Sequence, residues 1–467
     1  MNELLRASAL EQARLIREGK LSSEELVRLY LERIERLNPN LQAFTDVFRR
    51  RAIGAARAKD FLRKRRRADP AREPFEGVPV GIKDLNIVRG APTRWGTKAL
   101  PHLVLPFDDA TVAQIRRGGF VILGKLATSE LGAMPVTEPD LHPPTRNPWN
   151  VAHASGGSSG GSGTAVASGM LPIAQGSDGA GSIRIPSAFC HLFGFKPSRG
   201  RVRHPFWAND RKILYSMGPM ARTVDDAAAM LDLMAGILDG KPHWAPPPST
   251  TFAQLAKEKP KRMRIRFSTR SPLGPTDPEI AAVVLRVARV LEEMGHDVAE
   301  GAPSDGSLEE FLPLWQKLIS TVPVPSWRWS RTQPVTRWLG EPGRNLSRSE
   351  VMMHQAALDA RLQKEREGSD MWLTPTVPLP APKVGAFSSM APADAFAAAA
   401  QLGALTAPYN VLGWPAASLP LGLTSAGLPI GVQLGGSAFA DADVLAVSRQ
   451  LEEAMPWRDR RPPGFDA

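Results

Sequence analysis

Residues 156–184 read GGSSGGSGTAVASGMLPIAQGSDGAGSIR, two Gly/Ser-rich turns around one short apolar segment. A serine hydroxyl held in such a turn can attack a carbonyl carbon, provided that a nearby base takes its proton. After Ser162 the chain is short-sided and Ala-rich, which predicts about ten residues of closely packed helix and an advance of about 15 Å. Residues 171–175 (LPIAQ) predict a short buried strand, with Pro172 ending the helix. With Gly176 that strand covers about 18 Å. If the two run in opposite directions their lengths nearly cancel, so Ser158 and Ser182 meet. Both turns are therefore expected to face one active site, with Ser182 as its nucleophile.

Three other readings of these turns are open. Residues 156–163 have the composition of a flexible linker, but a linker gives no reason for the buried strand and second glycine turn that follow. A phosphate cradle needs G-x-G-x-x-G or a P-loop, whereas Gly176, Gly179 and Gly181 are spaced G-x-x-G-x-G. Residues 156–160 (GGSSG) match the G-x-S-x-G nucleophile elbow around Ser158, which would call on a histidine such as His153 or His191. No apolar strand leads into Ser158, however, as an elbow requires.

The elements that must position these turns alternate along the chain. Residues 3–18 predict a helix stopped by Gly19. Ser22 and Glu25 form a capping box opening a helix to about Leu37, ended by Asn38–Pro39, and residues 45–64 predict a third helix. Residues 77–85 (GVPVGIKDL) predict a strand at the edge or start of a sheet, with Lys83 at its C-terminal end, where open α/β sheets place their ligands. Further strands are expected at 120–125, 262–267, 405–423 and 429–434, and helices at 111–118, 225–235, 278–294 and 440–455. Residues 145–150 are expected to be a loop. The alternation argues for one α/β layered domain. Residues 242–260 are Pro- and Lys-rich. Residues 314–345 hold Trp315, Trp327, Trp329 and Trp338, four of the eleven Trp, as either an aromatic-anchored surface excursion or the wall of an apolar pocket.

Composition excludes several classes. At 467 residues with 43% hydrophobic content the chain can bury a large core. It has no run of 18 apolar residues for a membrane span, and its charged N-terminus lacks the apolar region of a signal peptide. A lone Cys190 rules out an internal disulfide and fits a cytoplasmic enzyme. The net charge of +11 suggests nucleic acid, yet residues 49–72 hold eleven Lys/Arg against Asp60 and Asp69, a local +9. That cluster, RKRRR at 63–67, is expected to be a solvated helix end, and no nucleic-acid partner is expected.

Taken together, GVPVGIKD (77–84), NPWN (147–150), GGSSGGSG (156–163), GSDGAGSIRIPSAFC (176–190), FGFKPSRGRV (193–202), GPMARTVDDAA (218–228), TPT (374–376) and APYNVLGWPAASLPLG (407–422) resemble the amidase signature family, in its order and over essentially the whole chain. The resemblance is weakest over about 240–370. It implies a single amidase domain over 1–467, built on a central mixed β-sheet covered by helices on both faces. Its parts are N-terminal helices (1–65), the signature core (70–235), a variable substrate-side region (240–370) and a C-terminal sheet portion with the last helix (371–467).

Residue by residue, the resemblance implies Ser182 as nucleophile, Ser158 after a cis peptide as proton relay, and Lys83 as base. Asp178, Arg184 and Ser159 brace the turn. The backbone N–H groups of Gly179, Ala180, Gly181 and Ser182 form the oxyanion hole. Substrate contacts are expected from Ala133, Met134, Trp207, Trp315 and Ile319. A neutral Lys83 is required: working near pH 7 needs a pKa about three below the ordinary 10.4, about 4 kcal/mol, and burial is the available cause. A less complete shift gives an alkaline optimum. No metal or organic cofactor is expected.

The chain departs from the family pattern in three places. Gly179-Ala180-Gly181 stands where a β-branched residue and two glycines are usual, His153 where Arg is common, and His191 where Gly is common. Residues 136–150 and the NVLGWPAASLPLG segment are similar to bacterial amidases acting on synthetic oligoamides and aryl amides. Carbamate or ester hydrolysis and a glutamine-hydrolysing subunit of a tRNA-dependent amidotransferase are the alternatives. The partner is expected to be a small-molecule amide, carbamate or ester, and the protein a monomer or homodimer.

Overall fold

Two parallel strands side by side carry the residues on which the chemistry rests. In the computed structural model, which describes residues 2–65, 69–100, 103–204, 214–301 and 306–465, Pro79–Lys83 pairs with Ile173–Asp178 and, on its other side, with Val121–Leu126. Pro79 is the first residue of its strand, a position where a missing N–H is tolerated. Lys83 and Asp178 thus end neighbouring strands at the same edge of the sheet.

The sheet has eleven strands, in the order Phe44–Val47, Val121–Leu126, Pro79–Lys83, Ile173–Asp178, Ser216–Ala221, Phe193–Lys196, Ala416–Leu423, Pro429–Gly436, Met371–Pro375, Arg264–Phe267 and Asp297–Glu300. Parallel pairs flank an antiparallel centre on both sides, and one end of the sheet is closed by the antiparallel edge strand Phe44–Val47. The central strands are buried along their whole length, polar residues such as Gln175, Asp178 and Gln433 included, because both faces are covered. One apolar core surrounds the sheet. A second lies beneath the site and includes Leu85, Trp95, Met134, Trp315, Trp329 and Phe396. No helix among the described residues is long and apolar enough to cross a membrane.

Several local expectations are corrected. The first helix is two, Asn2–Arg6 and Ala9–Arg17, because the Ser8 hydroxyl caps the second by accepting from Glu11 N–H at 3.1 Å. The Ser22 capping box is present, but its helix, Ser23–Leu41, runs through Pro39. It ends where Gln42 turns left-handed and the Asn38 side chain bonds both N–H and C=O of Phe44. Phe44–Val47 is not helical but an antiparallel edge strand on Val121–Leu126; the helix starts only at Arg49. Residues 146–154 form a two-stranded hairpin rather than a loop, and Ala407–Leu412 is a short helix before the strand. Residues 63–65 close the Arg49–Arg65 helix, and residues 66–67 of the basic cluster lie outside the described residues.

The Trp-rich excursion comprises helices Leu308–Ser320 and Pro334–Asn345 joined by a single 3₁₀ segment, Ser326–Arg331. Its four tryptophans do different things. Trp329 is buried against Gly340, where a Cβ would stand 2.3 Å from the ring. Trp338 packs on Phe396 at 5.8 Å, and Trp327 is 74% exposed. Only Trp315 reaches the site.

Candidate active site

The Gly/Ser turn at 156–163 is no linker, for every residue in it is buried. Gly160–Ala167 forms the small-sided helix, and Ile173–Asp178 returns beside it. The return is fixed by hydrogen bonds between the two turns: Ser159 N–H donates to the Ser182 carbonyl at 3.2 Å, the Ser159 hydroxyl donates to the Ser177 carbonyl at 3.1 Å, and Ser177 N–H donates to Ser159 Oγ at 3.2 Å. The Gly157–Ser158 peptide is cis. Ser158 and Ser182 line the same cleft, and Ser182 retains 7% exposure onto it.

Lys83 is fully buried, with Nζ 2.7 Å from Ser158 Oγ, 2.9 Å from Ser177 Oγ and 3.4 Å from the Ser177 carbonyl. Burial pushes its pKa well below the ordinary lysine value, against a smaller opposing pull from Asp178. The strand end is held by Gln175, whose Oε1 accepts from Lys83 N–H at 3.0 Å and whose Nε2 donates to Asn86 and to the Gly176 carbonyl. Next to Lys83, Asp84 forms a wholly buried ion pair with Lys125 at 2.7 Å.

Asp178 organises the second turn. Its carboxylate accepts from the N–H groups of Gly181, Ile183 and Arg184, at 2.7, 3.2 and 3.4 Å, and from both ends of the Arg184 guanidinium, at 2.9 and 2.8 Å. Burial opposes its ionisation, yet Arg184, Lys196 and Asn410 hold the carboxyl well below its usual range. Arg184 in turn donates to the Thr406 carbonyl, Gln433 Oε1 and Asn410 Oδ1. Asn410 also donates to the Asp178 carbonyl at 2.8 Å. Thus Ser177, Asn410, Thr406 and Gln433 belong to the site, although the residue pattern assigned them no role. The APYNVLGWP stretch was the available signal for Asn410, and nothing local marked Gln433.

One expectation about the oxyanion hole is corrected. The Thr406 hydroxyl donates to the Ala180 carbonyl at 2.6 Å. Pinning that carbonyl turns the N–H on the other side of the planar trans peptide the opposite way, onto Asp178. Gly181 N–H is therefore committed, which leaves those of Gly179, Ala180 and Ser182 as candidates. Gly181 is needed for another reason: its φ is +124°, and a Cβ there would stand 2.2 Å from Thr406 Oγ1.

Two clefts open over Ser182. The broader, about 790 Å³, includes Ala133, Met134, Ala180 and Trp315. The narrower, about 400 Å³, includes Ser158, Ser177, Tyr215, Trp315 and Ile319. Ala133, Met134, Trp315 and Ile319 therefore stand at the site, while Trp207 lies outside the described residues. Among the described residues, no histidine lines either cleft. His153 Nδ1 bonds the Ala381 carbonyl at 2.7 Å.

His191 is buried in a left-handed position and packs on Trp149 at 5.0 Å. Burial pushes its pKa down to about 3. The unfolded chain takes up this proton below about pH 6.5 and the folded chain does not, so stability falls with pH from 6.5 toward 3. Between pH 6.5 and 5 the loss from this group is about 2 kcal/mol. Urea unfolding at both pH values checks this: His191→Asn, whose side chain does not titrate, should show a correspondingly smaller drop.

Comparisons with known proteins identify the family. The family model described as Amidase matches residues 25–445. The chain belongs to the Amidase family. A putative amidase of Synechocystis sp. is 36% identical over 99% of this chain and 91% of its own. A 6-aminohexanoate-cyclic-dimer hydrolase of Pseudomonas sp. is 34% identical over 97% and 96%. The solved structure of a 6-aminohexanoate cyclic dimer hydrolase superimposes with a TM-score of 0.88 at 31% identity, over 98% of this chain and 99% of that one. The protein is thus an amidase, a hydrolase of amide carbon–nitrogen bonds, on the single-domain α/β fold its sequence implied. In this amidase position 179 carries no side chain, and the Trp315 ring lies 3.0 Å from where a Cβ on Gly179 would be.

Proposed function

We propose that this amidase cleaves small or oligomeric non-peptide amides through an acyl-enzyme on Ser182. Neutral Lys83 takes the Ser158 proton while Ser158 takes that of Ser182, whose oxygen attacks the amide carbon. The N–H groups of Gly179, Ala180 and Ser182 stabilise the tetrahedral oxyanion. The proton then returns through Ser158 to the leaving nitrogen, the C–N bond breaks, and water hydrolyses the ester by the same relay. The observation that carries this reading is the buried Lys83 Nζ 2.7 Å from Ser158 Oγ, with Ser182 on the same cleft.

An oligoamide substrate is supported by likeness to the 6-aminohexanoate-cyclic-dimer hydrolase. Esters and carbamates are open to the same acyl chemistry. Glutamine is disfavoured, because among the described residues no side chain charged near neutral pH lines either cleft to meet its α-carboxylate and ammonium. The test is a panel of an anilide, a linear aliphatic amide, a carbamate, a p-nitrophenyl ester and glutamine, with wild type and Ser182→Ala. Amide turnover lost in the variant supports the reading; turnover of glutamine alone, or amide turnover surviving in the variant, rejects it.

A further inference from the structure

The two clefts over Ser182 are not equivalent. Ser158 lines only the narrow one, and Ala180 only the broad one. Trp315 belongs to both. Its indole N–H donates to the Ala133 carbonyl at 3.1 Å, and its ring edge rests where a side chain at position 179 would begin, 3.0 Å from an ideal Cβ on Gly179. The ring is also backed by Phe311 at 5.8 Å. A bulky, anchored partition thus stands directly over the nucleophile turn.

From this we infer that Trp315 divides the site by substrate end: the broad cleft takes the acyl group and the narrow cleft takes the leaving amine. The assignment rests on the proposed relay, for the group that protonates the departing nitrogen must lie on the amine's side, and that group is Ser158. The broad cleft is walled by Met134, Ile185, Phe311, Leu358, Phe396 and Val411, and no ionisable side chain is among the described residues lining it. It suits a long or bulky uncharged apolar acyl group, since a charge there finds no partner. The narrow cleft, closed by Leu318, Ile319 and Val322, suits a small amine. The substrate class is therefore a bulky apolar acyl group on a small amine.

The test uses two isomeric amides that differ only in direction, N-methyloctanamide and N-heptylacetamide, with the N-methylamide of ω-aminooctanoic acid as a charged probe. In wild type, kcat/KM for N-methyloctanamide should exceed that for N-heptylacetamide at least about tenfold, and the terminal ammonium should lower it by a similar factor or more. Trp315→Ala, or Val322→Ala should the first variant fold poorly, should raise the relative turnover of N-heptylacetamide by widening the amine side. A wild-type ratio below about tenfold, a reversed ratio, or a ratio that neither variant moves overturns the division while leaving Ser182 chemistry standing. Hydrolysis of neither isomer while an anilide is still turned over overturns the division alone; hydrolysis of neither isomer nor the anilide overturns the proposed Ser182 reading and the division with it.

Discussion

Lys83→Met should lower kcat by about 10⁴-fold, because removing one member of a nucleophile–relay–base unit disables the unit. The replacement keeps the length and fills the buried space, so the far-ultraviolet circular dichroism spectrum should be unchanged. The wild-type pH profile should carry the same information. Only neutral Lys83 can accept the Ser158 proton, so kcat/KM rises with pH through the lysine pKa and then levels off. Burial displaces that pKa well below 10.5, so the rise should be complete well short of the ordinary lysine range. A rate still climbing steadily through pH 10 would mean that Lys83 is charged at neutrality and the burial argument fails.

Arg184→Met should destabilise the fold by about 3–5 kcal/mol, the usual consequence of leaving one partner of a buried ion pair uncompensated. Both Arg184 and Asp178 are fully buried, and Arg184 also ties the nucleophile turn to Thr406, Asn410 and Gln433. In wild type the depressed Asp178 pKa contributes stability above the unfolded carboxyl pKa, lost as pH falls through the folded value. Without the guanidinium the burial penalty dominates and Asp178 prefers its proton, so the deficit should shrink as pH falls. Denaturant unfolding of the variant at neutral and mildly acidic pH measures both effects. A loss below about 1 kcal/mol would show that the turn is held mainly by its backbone hydrogen bonds.

The parts of the site legible in the sequence were those encoded locally. Proline at the start of a β-branched run placed Lys83 at a strand end. The near-cancelling lengths of a small-sided helix and a strand brought two glycine turns together. What local pattern could not encode is what comes from far along the chain. Asn410 and Gln433 reach Asp178 and Arg184 from more than 220 residues away, and no spacing rule links them. The Gly181 N–H was misassigned because its direction is set by Thr406 through the neighbouring carbonyl. The Phe44–Val47 strand was read as helix because its residues continue into a real helix at Arg49, and only pairing with Val121–Leu126 distinguishes them. Of four clustered tryptophans, Trp315 alone meets the nucleophile turn, and the clue was the missing side chain at Gly179 rather than the tryptophans themselves.

The most direct measurement is rapid acid quench of the enzyme during turnover of a p-nitrophenyl ester, followed by intact-mass analysis and peptide mapping. A serine acyl-enzyme predicts a single acyl adduct on the peptide containing Ser182, absent in Ser182→Ala and formed more slowly in Lys83→Met. An adduct on any other residue, or full turnover by Ser182→Ala, would contradict the assignment of Ser182 as nucleophile.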